Sequence, residues 1–222
     1  ISRFTNVAIS GLAHVDADVV VSSSELENEI TTTMERLNMP PGLLEGLTGI
    51  KNRRFWTAGM APSDAAALAA QKVLDQTTVD RTKIGALINT SVSRDYLEPS
   101  TAAIVQGKIG LGRDCINFDV GSACLGFLQG ASIAASMIER GEIEHALIVA
   151  GEDGRPIVEK TLKNLQDPET DDASFREQFA CLTLGSAAVA MVLSLAEPDD
   201  GQPRFLGGLS VSATQHYALS VG

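Results

Sequence analysis

The sequence predicts an α/β protein in which the strands of one layered sheet alternate with helices, and parallel neighbours are joined by right-handed crossovers. Three features of the 222-residue chain carry this reading. Short apolar runs at 85–89, 115–120 and 145–150 are separated by helical stretches with recognisable caps. Residues 125–138 are apolar or small on nearly every face, which predicts a helix buried in the middle of the protein. Immediately before it stands a turn of small residues, Gly121-Ser122-Ala123-Cys124.

The elements follow in order. Residues 6–12 alternate into Gly11 and read as a first strand. Ser24 followed by Glu27 fits a capping box for a helix over 25–37, which Pro40 and Pro41 stop. A short apolar segment covers 43–50, and 53–56 reads as a short strand. Ser63 and Asp64 cap an alanine-rich helix running to about Leu74. Residues 85–89 form a buried strand and 91–97 a loop; Pro99 and Ser100 then open a helix ending near Gly110. After the strand at 115–120 and the apolar helix come a strand at 145–150 and an acidic, exposed loop at 167–172. A strand rich in small residues spans 182–193, and 204–212 reads as one more extended segment. There is no low-complexity linker and no second domain, so 1–222 is one unit.

Composition narrows the function. With 17 basic and 28 acidic residues the net charge is −11, which argues against a nucleic-acid binder. A local basic patch could still hold an anionic coenzyme. Three cysteines, Cys115, Cys124 and Cys181, are too few for a disulfide framework and suit a reducing, cytoplasmic setting. No cluster has metal-ligand spacing, so no metal is expected. The apolar stretches are interrupted by charge, which predicts a soluble protein without a membrane span. The chain begins at Ile1 rather than Met, so residues are expected to precede it, and its first segment does not read as a signal peptide.

Cys124 stands where a strand gives way to a helix. Free N–H groups and partial positive charge at a helix start can lower a thiol pKa to ~3.5–7.5, favouring the thiolate. The same N–H groups can stabilise the oxyanion formed when a thioester is attacked. The competing reading is a small buried apolar side chain in a tight turn. Cys115 and Cys181 lie in strand-like apolar segments and read as core.

The run Phe118-Asp119-Val120-Gly121-Ser122-Ala123-Cys124-Leu125-Gly126-Phe127 resembles the nucleophile motif of the β-ketoacyl-ACP synthase III branch of the thiolase superfamily. Thr48-Gly49-Ile50 with Arg53-Arg54, His145 to Gly151, and Leu184 to Val189 resemble further motifs of that branch in the same order. The resemblance covers nearly the whole chain. It implies a thiolase fold, layered α-β-α-β-α, of which 1–222 is the N-terminal half, with Cys124 as the acyl-accepting nucleophile. It also implies that the catalytic His and Asn belong to a C-terminal half absent from this sequence.

Two departures from synthase III stand out. Glu98 precedes the Pro99-Ser100 pair, where that branch carries a bulky apolar residue, and Leu43 and Leu47 replace a Trp and an Arg that hold the coenzyme. The loop from Ser91 to Thr101 instead resembles the acyl-CoA condensing thiolases of bacterial long-chain olefin biosynthesis, the OleA type. That likeness implies an acyltransferase performing non-decarboxylative Claisen condensation of two fatty acyl-CoAs to a β-keto acid or β-ketoacyl thioester. Such a reaction must remove a proton beside a thioester and needs a base, whereas loss of CO₂ does not. Glu98, carried across a homodimer interface into an apolar acyl channel, is the candidate base, with its pKa raised by that setting. Read without the resemblance, Glu98 is a solvated loop carboxylate beside Arg94. Arg53 and Arg54 either contact coenzyme phosphates or are surface charges. Coenzyme A thioesters are expected as substrates with no permanently bound cofactor. The expected partners are the second subunit and downstream olefin-pathway enzymes. The alternatives are a decarboxylative β-ketoacyl-ACP synthase III and a non-catalytic half-thiolase that serves dimerisation.

Overall fold

Apolar, strand-forming runs near 84–89, 145–152 and 187–195 become the three inner strands of a five-stranded sheet, because strands covered on both faces read as nearly continuous hydrophobic segments. The computed structural model describes residues 2–197 and 200–220. The first third of the chain contains β1 (Ser2–Arg3), β2 (Val7–Asp16), β3 (Val19–Ser22), α1 (Ser23–Glu29), α2 (Thr31–Arg36), α3 (Leu43–Thr48) and β4 (Asn52–Phe55). Next come α4 (Pro62–Gln76), β5 (Ile84–Asn89), α5 (Thr101–Ile109), β6 (Ile116–Asp119) and α6 (Gly126–Glu139). The remainder holds β7 (His145–Glu152), α7 (Arg155–Leu165), α8 (Asp172–Phe179), β8 (Ala187–Leu195) and β9 (Gly207–Gly208).

The sheet order is β2-β8-β7-β5-β6. Strands β5, β6 and β7 are mutually parallel, as expected. Strand β8 is not: it runs antiparallel to both β7 and β2. The reason lies in the connection. The chain leaves β7 at Glu152, makes the α7–α8 excursion, and re-enters at Ala187 directly opposite Glu152, so it must run back. The helix expected over 25–37 is broken at Ile30 into α1 and α2. Its capping box is Ser22 with Glu25, not Ser24 with Glu27. Glu27 is buried and accepts from the backbone N–H groups of Gly42 (2.7 Å) and Leu44 (2.6 Å), fixing the start of α3. The extended segment expected at 204–212 pairs with β2 at Ala8↔Arg204 and contributes only the short β9.

Helices cover the sheet on both faces. Ala65, Ala66, Ala69, Ala70 and Val73 of α4 pack with Leu87, Leu147, Val149 and Val192 on one face. Ala131, Ala134, Ala135 and Ile138 of α6 pack with Ile88, Ile148 and Leu193 on the other. A third cluster joins α1, α2, α3, α7 and α8 around Leu26, Ile30, Leu44, Leu162 and Phe175 beyond one end of the sheet. The expectation that α6 is buried all round is corrected. Its sheet-facing side is buried, but Leu128 is 60% and Ile133 39% exposed on its other side, beside Leu125 at 55%. One layer of helix lies on each sheet face here, and the far side of α6 is only partly flanked: Leu125, Leu128 and Ile133 line an open cavity together with Ser2, Phe205 and Leu209.

The helix-to-sheet approach is close enough to exclude side chains. A Cβ on Gly151 would sit 2.2 Å from the Pro62 carbonyl oxygen and 2.7 Å from the Ala66 nitrogen. Both obstacles are backbone and cannot rotate away. Gly151→Ala is expected to destabilise the fold by about 1–3 kcal/mol, as overpacking of a close-packed core does, visible as a lowered denaturation midpoint. An unchanged midpoint would show that α4 can move off the sheet.

Candidate active site

The C-terminal ends of β5, β6 and β7 lie side by side because these strands are parallel, and ligands of open α/β sheets bind at that end. Each strand ends on a polar residue: Asn89, Asp119 and Glu152. The loop 91–100 leaves β5 there, and the turn carrying Cys124 leaves β6.

The turn is built on two constraints. Ala123 has φ +43°, a left-handed conformation that costs a residue with a Cβ of order 1–3 kcal/mol. Gly126 lies so near β5 that a Cβ would be 2.8 Å from the Thr90 carbonyl oxygen. Residues Ala123–Leu125 form a single 3₁₀ turn that runs directly into α6. Cys124 therefore sits at the positive end of a 14-residue helix, with its side chain exposed. Cys124 is thus not packed into the core of the described residues. Cys115 is buried, and burial pushes its thiol up to about 11. Cys181 is half-buried in a 3₁₀ turn over Ala180–Thr183 rather than in a strand.

The loop that carries Glu98 is exposed, with Tyr96 65% and Leu97 92% accessible. Glu98 itself is exposed, at the same end of the sheet as Cys124. The ends of the loop are firmly tied. Glu152 accepts from the N–H groups of Val92 (2.6 Å) and Ser93 (3.0 Å) and from the Ser93 hydroxyl (2.8 Å). Asp119 accepts from the N–H groups of Thr101 (3.0 Å) and Ala102 (2.8 Å), the first residues of α5. Asp95 does not pair with Arg94; it accepts from the backbone N–H and the hydroxyl of Ser63 at the start of α4. The Arg94 guanidinium instead reaches Gly121, where a Cβ would stand 3.6 Å from it.

Arg53 and Arg54 point to opposite sides of β4. Arg53 is 5% exposed and donates to the Ser23 hydroxyl (2.7 Å), and desolvation lowers the pKa of its guanidinium. Arg54 is exposed and donates to the Ala17 carbonyl (3.0 Å). The two therefore do not form a joint phosphate fork. Both border a cleft of about 700 Å³ that also touches Ile50, Glu152 and Gly185. Among the described residues no group of three or more His, Cys, Asp and Glu is placed to hold a metal ion, and no helix is long and apolar enough to cross a membrane. Sequence reasoning did not single out Glu152, and gave Asn89 and Asp119 no role of their own. The available signal was their position as the last residues of three parallel strands.

A cysteine in a strained turn between a parallel strand and a helix packed on a mixed sheet places the chain in a defined class. The chain belongs to the thiolase superfamily, in its synthase III-like branch. The family model for 3-oxoacyl-[acyl-carrier-protein (ACP)] synthase III matches residues 118–207. The acyl-CoA:acyl-CoA alkyltransferase of Xanthomonas campestris pv. campestris is 46% identical over 219 residues, which are 99% of this chain and 65% of that protein. The enzyme of the same name from Shewanella oneidensis is 39% identical over 221 residues, 98% of this chain and 63% of its own length. The acetamide-bound crystal structure of Xanthomonas OleA superposes with a TM-score of 0.93 at 46% identity, covering 98% of this chain and 67% of that one. The chain thus spans about two thirds of the length of these relatives.

The contrast between the cysteines is directly measurable. Iodoacetamide near neutral pH is expected to label Cys124 well ahead of Cys115, since only accessible thiolate reacts and a thiol titrating near 11 supplies little of it. Peptide mass mapping over a time course reads the order; faster labelling of Cys115 would contradict the arrangement of the turn.

Proposed function

We propose that this chain is the nucleophile half of a thiolase-fold acyltransferase that joins two fatty acyl-CoAs by non-decarboxylative Claisen condensation. The observation that carries the reading is Glu98: a carboxylate stands just before the Pro99-Ser100 pair that opens α5, where decarboxylative relatives carry an apolar residue. The name of the Xanthomonas and Shewanella relatives, acyl-CoA:acyl-CoA alkyltransferase, supports it.

In this mechanism the Cys124 thiolate attacks the thioester carbonyl of the first acyl-CoA. The helix-start N–H groups stabilise the oxyanion, and coenzyme A leaves as its thiolate, which takes up the proton that Cys124 gave up on ionising. Glu98 then takes a proton from the carbon beside the second thioester. The resulting enolate attacks the acyl carbon on Cys124, forming the carbon–carbon bond and releasing the thiolate. The product is a β-ketoacyl-CoA, which hydrolysis would turn into the β-keto acid.

Glu98 acts in the site of a second copy of the chain. The exposed Val92, Tyr96 and Leu97 on its loop suit burial against that partner. The open apolar side of α6, with Leu125, Leu128 and Ile133, suits coverage by the further third of the relatives' length, which would bring the His and Asn donors. Arg54 is the arginine of the pair open to a coenzyme phosphate. A decarboxylative synthase III reaction is the second reading, favoured by the family model over 118–207; it would require a malonyl donor.

The test uses the complete protein that carries this chain. With acyl-CoA alone, the wild type is expected to release coenzyme A and form the condensed product. Glu98→Gln should still acylate Cys124 but lose condensation by ~10²–10⁴-fold, the usual worth of general acid–base assistance. Mixing Glu98→Gln with Cys124→Ala subunits should restore one working site per dimer. An absolute need for malonyl donor, or full condensation by Glu98→Gln, would overturn the reading.

A further inference from the structure

We infer that Asp119 and Asn89 are positioning residues for condensation, because together they fasten both ends of the Glu98 loop to the strand that delivers Cys124. The inference rests on the function proposed for Glu98. The geometry is a closed chain of contacts. Asn89 is fully buried at the end of β5, and its side-chain N–H₂ donates to Asp119 Oδ1 (3.1 Å) at the end of β6. At the exit of the loop, Asp119 Oδ1 also accepts from the Ala102 N–H and Oδ2 from the Thr101 N–H. Ser100 accepts from the Ala103 N–H (3.2 Å), so the first three amides of α5 are all satisfied. At the entrance, Asn89 Oδ1 accepts from the Ser91 hydroxyl (2.7 Å), and that hydroxyl accepts from the Gly151 N–H (2.8 Å).

This arrangement has a consequence for chemistry. A carboxylate at the start of α5 answers amides that lack intrahelical partners and sits at the positive helix end. Its grip fixes where the helix begins, and Glu98 lies three residues before Thr101. The same carboxylate lies five residues before Cys124 on the chain. Displacement of the α5 start therefore displaces Glu98 relative to β6, while the 3₁₀ turn and α6 hold Cys124 through Thr90 and Gly126 instead. The two half-reactions should respond differently.

The experiment uses the complete protein and myristoyl-CoA, following coenzyme A release in a single turnover for acylation and the condensed product for the second step. Asp119→Asn keeps the shape but leaves one acceptor oxygen where three donors converge, so that in either orientation an N–H₂ faces a backbone N–H of α5. Condensation is expected to fall about 10²-fold, the scale of a misplacement near one ångström. Acylation should stay within about threefold of wild type, a split that separates the two transition states. Ser91→Ala, which removes one entrance tie and leaves those made by Glu152, should show the same split with a smaller loss and serves if Asp119→Asn does not fold. Equal loss in both half-reactions, or unaltered condensation in the folded variants, would overturn the inference. Glu98→Gln runs alongside: if it condenses normally, the base assignment fails and this inference with it. If it is inactive while the folded variants condense normally, only the positioning role fails.

Discussion

The structure depends on how near α6 comes to the end of β5. At Gly126 there is no space between the helix start and the Thr90 carbonyl, and at Gly130 a Cβ would meet the Thr90 and Ile88 side chains at 2.7 and 3.3 Å. Ala131, Ala134 and Ala135 continue the same thin seam. Close-packed interiors transmit such constraints with little give. The approach pulls the residues ahead of the helix into a turn tight enough to force Ala123 into a left-handed conformation, and Cys124 is lifted out to solvent as a result. Cys124 is thus presented by packing beneath it rather than by contacts to its own side chain.

A second level of order sits on that seam. The polar residues ending β5, β6 and β7 reach sideways: Asp119 and Glu152 take up backbone N–H donors from neighbouring segments, and Asn89 accepts from the Ser91 hydroxyl. Buried polar networks of this kind stabilise only when every member is satisfied, and they then select one loop geometry over others. The exposed stretch between the ties, around Leu97 and Glu98, is left free to meet another molecule.

Much of this was legible in the sequence. Strands buried on both faces announced themselves as apolar runs, the alanine face of α4 was visible, and Ser100 and Gly110 marked the limits of α5. The small-residue turn before Cys124 marked where strand β6 gives way to the helix. Other features were hidden because they are relations between distant segments. The reversal of β8 follows from where the chain re-enters the sheet, which no local pattern records. Ser24 and Ser22 are equally good caps by type, and only the Lys51 carbonyl, which holds the Ser23 N–H, fixes where the helix starts. Burial of Arg53 beside an exposed Arg54 follows from strand alternation at β4, a four-residue strand too short to show a clear period.

The pairing of Glu152 with Ala187 brings the two ends of the α7–α8 excursion together at one point on the sheet. Its hydrophobic residues pack with α1, α2 and α3 in a cluster of their own, apart from the two that flank the strands. Closing a loop twice as long costs only about 0.6 kcal/mol more. Descent with modification can therefore lengthen, shorten or exchange this cap while leaving the cysteine platform intact. Lineages that share the chemistry would then diverge first in the architecture above the strand ends.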